Sequence, residues 1–195
     1  MAVISVVGTS GVGKSFLVTQ LASLDCMPAF LEGEEGVIPQ EVFTNIFEGD
    51  PVGRYAYFID RYNQNLSRAR KVSNLGLDAY VDGATLSPNA ILLYEEEQYH
   101  EPIREITKTM AGNESDVIVL LTASEEKIKQ GLEVRGRSSE ADATALIRAA
   151  AIQEFFEKEA AKLDNVIKLD RTHLDFKDEK QLRKIRADVW KFLKR

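Results

Sequence analysis

Residues 3–15 read Val3-Ile4-Ser5-Val6-Val7-Gly8-Thr9-Ser10-Gly11-Val12-Gly13-Lys14-Ser15. Val3 to Val7 is rich in β-branched residues, which predicts a strand. Gly8 to Ser15 satisfies the pattern G-x-x-x-x-G-K-S/T, and a helical pattern runs from Gly13 to Leu24. Strand, glycine loop and helix in that order are the context in which the pattern holds phosphate. The glycines let the backbone curl until successive N–H groups point inward. The helix that follows adds the positive end of its dipole. Lys14 brings a mobile charge for β- and γ-phosphates, and the Ser15 hydroxyl is a ligand for Mg²⁺. The alternative is a chance GKS-containing loop.

The rest of the chain sets bounds on this reading. A length of 195 residues fits one domain and buries a core without disulfide or metal staples. The composition, 44% hydrophobic and 29% charged, argues against a disordered or fibrous chain. With 25 basic and 31 acidic residues the net charge is −6, which argues against nucleic-acid binding through the global field. The single cysteine, Cys26, excludes an internal disulfide framework and fits a reducing compartment. No apolar run reaches the ~18 residues of a membrane span. The start, MAVISVVGTSG, has no basic segment ahead of its apolar run. The expectation is a cytoplasmic protein with no signal peptide and no membrane partner.

Short apolar runs alternate with longer helical stretches, the rhythm of a parallel α/β sheet. The strand candidates are Val3 to Val7, Ala29 to Leu31, Ala79 to Asp82, Asp116 to Thr122 and Asn165 to Leu169. The helix candidates are Gly13 to Leu24, Val52 to Val72, Ala90 to Ala111, Glu125 to Arg135, Ala141 to Leu163, and Glu179 to the end. Asn45 to Gly53 reads as a turn-rich stretch, and Arg135 to Ser139 as a polar break between helices. The whole chain, 1–195, is read as one domain.

Further residues gather around the loop. Asp82 ends a strand, where ligands of a parallel sheet sit, and an acid there serves Mg²⁺ beside Ser15; an N-cap for the next helix is the bland reading. Glu32 follows the second strand at the same edge and suits a base for an attacking hydroxyl; Glu34 and Glu35 are rivals, and a solvated acidic loop is the alternative. Arg135 and Arg137 suit a lid that stabilises charge on a transferred phosphoryl group; the alternative is a basic helix end with Gly136 as its cap. Asp60 and Gln64 stand four apart, so they share a helix face. They line an acceptor pocket or are solvated. His100 and His173 have no ligand-spaced partners. Trp190 and Phe192 read as residues that pack the last helix onto the domain.

The guanine-specific N-K-x-D pattern is absent, and so are the long insertions of larger ATPases. The small size favours a nucleotide or small-metabolite kinase. At this point the chain resembles the deoxynucleoside kinase family, its bacterial deoxyadenosine and deoxyguanosine kinase branch above all. The resemblance covers roughly residues 1–170 and rests on GTSGVGKS, FLE at Glu32, DPVGRYA at Asp50 to Ala56, YVDGA at Tyr80 to Ala84, and VIVLLTASEEKIKQGLEVRGRSSE at Val117 to Glu140. It implies a three-layer P-loop fold with a five-stranded parallel sheet in the order 2-3-1-4-5. It also implies a nucleotide-binding set of Gly8, Thr9, Ser10, Gly11, Val12, Gly13, Lys14, Ser15 and Phe16. ATP and Mg²⁺ are then the cofactors, with Ser15 and Asp82 as metal residues. Glu32 matches the family's base. Arg135 and Arg137 match the lid arginines of a lid near 135–140, and Glu140 matches the glutamate used on the sugar 3′-hydroxyl.

The acceptor side departs from the family. The acid-Arg-Ser motif after the third strand is here Asp82-Gly83-Ala84. The usual tryptophan beyond the base falls at Val37, the sugar-contacting tyrosine near Glu48, and the base-reading glutamine at Asp60. Loss of an arginine near the transferred phosphate removes transition-state charge, and Arg54, Arg61 or Arg68 is a candidate replacement. A carboxylate at Asp60 prefers donors on its ligand. Glu48 disfavours an already phosphorylated acceptor. The expected activity is ATP-dependent phosphorylation of the 5′-hydroxyl of a nucleoside-like acceptor. The alternatives are a kinase for a nucleoside monophosphate or another small hydroxyl compound, and a non-catalytic nucleotide-binding module. The long helices leave two uses open: pairing in a homodimer, as the family often does, or internal packing.

Overall fold

The computed structural model describes residues 1–32, 51–94, 96–110, 112, 114–135 and 144–194. Five parallel strands form one sheet in the order β2-β3-β1-β4-β5. They are β1 Val3–Gly8, β2 Ala29–Phe30, β3 Ala79–Asp82, β4 Val117–Thr122 and β5 Val166–Asp170. The order is the one that the sequence resemblance implies. β1 and β4 are buried at every position, as strands covered on both faces must be.

Alternation along the strands divides the core. Ile4, Val6, Val119 and Leu121 pack with α1 (Lys14–Asp25) and α7 (Glu179–Leu193). Val3, Ala79 and Val81 face the opposite way, onto α2 (Pro51–Asn74) and α4 (Glu97–Thr107). Val7, Ile118 and Leu120 meet Phe156 of α6 (Thr144–Ala160). This is the period-2 logic of a strand applied to three layers.

The helices form for local reasons. α2 opens on Pro51, whose fixed φ suits a first helical residue. Its buried positions Tyr55, Ile59, Tyr62, Leu66 and Ala69 recur every three or four residues. α7 is capped by Asp178, whose carboxylate accepts from the N–H groups of Lys180 and Gln181. It docks through Leu182, Ile185 and Val189. Trp190 Nε1 donates to Asp25 Oδ2 at 3.3 Å, and Phe192 packs on the core, so both residues dock the last helix.

Several boundaries differ from the sequence reading. The helix expected over Ala90 to Ala111 is broken. A short α3 (Ser87–Ile91) and a 3₁₀ turn (Leu92–Tyr94) precede α4, and a second 3₁₀ turn (Lys108–Met110) follows it. Glu96 is extended at φ −60° and ψ 144°, and α4 restarts with Glu97 in its first turn, where the helix dipole favours a carboxylate. β2 ends at Phe30 rather than Leu31, because Asn65 Nδ2 takes the Leu31 carbonyl at 3.1 Å. α6 stops at Ala160, where Leu163 N–H turns back to the Ala160 carbonyl at 3.1 Å. Gly53 lies within α2 rather than in a turn. Among the described residues, no helix is long and apolar enough to cross a membrane.

Candidate functional site

The carboxyl ends of the strands carry the site. α5 (Glu125–Arg135) and α1 flank the loop that leaves β1. Gly13 stands at φ +92° as the N-cap of α1, a conformation that costs a residue with a Cβ far more than glycine. No side chain caps α1, and its first turn carries no acid. The positive end of this helix meets no acid of its own first turn, which suits it to receive an external anion. Lys14 Nζ donates to the Thr9 carbonyl at 3.1 Å, which folds the lysine back along the loop. Thr9 and Val12 are buried, whereas Ser15 and Phe16 are exposed.

The loop is braced from outside by a helix glycine. Gly131 lies in α5, and a Cβ there would collide with the Gly11 carbonyl. A Cβ on Gly11 would in turn stand 2.8 Å from the Ile128 carbonyl and 3.0 Å from Leu132 Cγ. The two backbones touch because neither residue has a side chain. A glycine inside the helical pattern EEKIKQGLEVR was the available signal for this contact.

Asp82 meets the loop directly. Val6 pairs with Asp82 in the sheet, and the Ser15 hydroxyl donates to Asp82 Oδ2. Asp82 is 1% exposed, and its Oδ1 is buried without a hydrogen-bond partner. A buried carboxylate oxygen left without a donor is costly. A hydrated divalent cation beside Ser15 would satisfy it, so these residues fit Mg²⁺.

Glu32 leaves the sheet at the same edge. Phe30 pairs with Val81, so Glu32 stands two residues past the last β2 pair and Asp82 one residue past its β3 partner. Glu32 is half-buried. Two side chains from one flank of α2 hold this exit: Asn65 on the Leu31 carbonyl, and Arg61 Nη2 on the Glu32 carbonyl at 3.2 Å. The structure thus brings Lys14, Ser15, Asp82 and Glu32 to one end of the sheet and adds Arg61 to them.

Asp60 and Gln64 share a face, as their spacing requires. Gln64 Nε2 donates to Asp60 Oδ2 at 2.6 Å, and both side chains are exposed. Their stripe lies opposite the Tyr62–Leu66–Ala69 core stripe, while Arg61 and Asn65 occupy the flank toward β2. Arg68 is also exposed. Glu34, Glu35, Val37, Glu48, Arg137 and Glu140 lie outside the described residues, as do the side chains of Arg54 and Arg135.

Gly83 is where the arginine of the resembled family would stand. Its φ is +102°, and a Cβ would lie 2.6 Å from Tyr62 Cε1 and 2.7 Å from Cδ1. Its N–H donates to the Val6 carbonyl at 2.9 Å. The Ser87 hydroxyl accepts from the Ala84 N–H at 3.1 Å and closes the turn into α3. Position 83 is therefore built for glycine, with the Tyr62 ring against it.

No protein-family model matches this chain, and no curated protein matches it. Among solved structures, the deoxyadenosine kinase from M. mycoides with the products dCMP and a flexible dCDP bound superposes with a TM-score of 0.71. The match covers 97% of this chain and 99% of that one, at 16% identity. The chain has a deoxynucleoside-kinase-like P-loop fold. At this identity the likeness is one of fold, and the chemistry rests on the residues just described.

Sequence reasoning passed over Tyr62, Asn65 and Gly131. Their roles come from contacts between distant parts of the chain, such as the 34 residues that separate Asn65 from Leu31. Apart from the glycine inside α5, spacing along one element carries no trace of such a contact.

Proposed function

We propose that this chain transfers the γ-phosphoryl group of ATP to the 5′-hydroxyl of a nucleoside-like acceptor. The observation that carries the reading is the Ser15–Asp82 pair at the mouth of the loop, with Asp82 Oδ1 buried and left for a cation. The fold shared with a deoxyadenosine kinase supports the nucleoside as the acceptor class.

In this reading Gly8 to Phe16 wrap the triphosphate, and Lys14 swings from the Thr9 carbonyl onto the β- and γ-phosphates. Ser15 and Asp82 hold Mg²⁺, which, when bound, neutralises charge across those phosphates. Glu32 accepts the proton of the attacking hydroxyl as its oxygen bonds to phosphorus and ADP departs. Arg61 supplies the positive charge that Gly83 cannot, since its guanidinium already reaches the Glu32 carbonyl. Arg135 and Arg137 close over the phosphates as a lid. Glu140 and Glu48 are assigned to the acceptor on the resemblance alone, and Asp60 and Gln64 form the rim of its pocket. The chain acts as one kinase domain.

The test is ADP release with Mg-ATP against deoxyribonucleosides, ribonucleosides and their monophosphates, with Lys14→Ala and Glu32→Gln as controls. Turnover on a nucleoside that both substitutions abolish supports the reading. Turnover on monophosphates alone replaces the acceptor. Mg-ATP binding with no turnover makes the chain a nucleotide-binding module.

A further inference from the structure

Arg171 follows β5 and belongs to none of the motifs above. Its backbone N–H donates to the Thr122 carbonyl at 2.8 Å, which ties it to the end of β4. Its side chain then crosses to the phosphate-binding loop, where Nη1 donates to the Val12 carbonyl. The guanidinium carbon lies 4.7 Å from the centre of the Phe176 ring, within reach of cation–π attraction. Phe176 itself is 1% exposed, so this platform is fixed in the core. Burial lowers the arginine's pKa, and the Asp175 carboxylate opposes that shift. A charge held here against desolvation depends on the few contacts it makes.

Those contacts bear on the loop's geometry. The described backbone has no cis peptide bond. In a planar trans peptide the C=O and the following N–H point in opposite directions. With the Val12 carbonyl held by Arg171, the Gly13 N–H faces away from the guanidinium. A Cβ on Gly13 would lie 2.7 Å from the guanidinium carbon, so the arginine fills the back of the loop where a side chain would start.

We propose that Arg171 is a positioning residue for the phosphate cradle: by holding the Val12 carbonyl from behind, it keeps the Gly13 N–H aimed at the bound polyphosphate. The proposal rests on the reading of Gly8 to Ser15 as a nucleotide site. It adds a brace from the β5–α7 connection, 159 residues away from Val12 in sequence.

The test is titration calorimetry of the full chain with Mg-ATP and, separately, with magnesium tripolyphosphate, which has no base or sugar. Wild type, Arg171→Met and Arg171→Lys are compared, with thermal unfolding run alongside. Arg171→Met is expected to weaken both ligands by about tenfold, the scale of one charge-assisted hydrogen bond. Arg171→Lys is expected to weaken both by several-fold, because an ammonium lacks the planar fork that stacks on Phe176 while reaching Val12. Should Arg171→Met fail to fold, Arg171→Lys carries the test. Wild-type affinity in a folded variant would overturn the proposal, and so would a loss confined to ATP, which would place Arg171 at the base. If the wild type binds both ligands but phosphorylates nothing, the kinase reading falls, and the brace stands where the variants bind both ligands more weakly. If it transfers phosphate and the variants bind as well as it does, the brace falls alone.

Discussion

The Tyr62 ring lies against Gly83 so closely that a Cβ at position 83 would stand 2.6 Å from Tyr62 Cε1. This contact leaves no room at position 83 for the arginine of the acid-Arg-Ser motif of the resembled kinases. A side chain at 83 faces a φ of +102° and a buried aromatic ring at once. Gly83→Arg is therefore expected to destabilise the fold by about 1–3 kcal/mol and not to raise phosphoryl transfer. Urea unfolding and the ADP-release assay check both parts. A stable and more active Gly83→Arg variant would show that the site still accepts the arginine.

In the proposed reading the displaced charge passes to Arg61, whose Nη2 donates to the Glu32 carbonyl at 3.2 Å. Arg61→Ala is expected to lower the transfer rate by ~10²–10³, the usual scale for losing one charge-stabilising donor. Affinity for Mg-ATP should stay within a few-fold, because the loop is built without it. Steady-state kinetics beside calorimetry separate the two. A variant with unchanged rate would remove Arg61 from the chemistry.

Gly131 sets how closely α5 approaches the loop. Gly131→Ala would place a methyl group into the Gly11 carbonyl, even though alanine is the better helix former. The expected result is a loss of about 1–3 kcal/mol in stability, with Mg-ATP affinity reduced as Gly11 is pushed aside. An alanine that stabilises the protein, as it would in an exposed helix, would contradict the contact.

The other pole of the molecule gives a pH prediction. Tyr80 donates to Asp25 Oδ2, and Arg186 Nε donates to Asp25 Oδ1. Burial first, then the hydrogen bond to Asp25 and its charge, raise the Tyr80 pKa far above the ordinary tyrosine value. A folded-state pKa above the unfolded one means that stability is fully present below pH ~10 and falls as the pH rises beyond it. The slope is about 1.4 kcal/mol per pH unit, because the unfolded chain releases a proton that the folded chain keeps. Tyr80→Phe removes this component. Subtracting its stability curve from the wild-type curve between pH 8 and 11 should isolate the slope, whatever the other tyrosines do. Parallel curves would contradict the account.

How much of this was legible follows from the range of each interaction. The strands were readable because a buried parallel strand must be an apolar, β-branched run, and VISVV and DVIVLLT are such runs. The strand, loop and helix around Gly8 to Ser15 were readable because they are consecutive in the chain. The place of Asp82 beside Ser15 followed from its position at a strand end. By contrast, no glycine or proline at Glu96 marks the break within an otherwise helical stretch. Tyr62 reads as one more core aromatic until Gly83 is seen beneath it. Arg171 stands after a strand like any polar residue, and only the fold takes it to Val12. The strand order came from family resemblance, since no periodicity encodes which strands are neighbours.

The most direct measurement is product detection. The full chain is incubated with Mg-ATP and a pooled set of nucleosides, and new phosphorylated species are identified by mass spectrometry. The account predicts a nucleoside 5′-monophosphate, formed with one ADP per product and absent with Glu32→Gln. No phosphorylated nucleoside from a protein that binds Mg-ATP would contradict it.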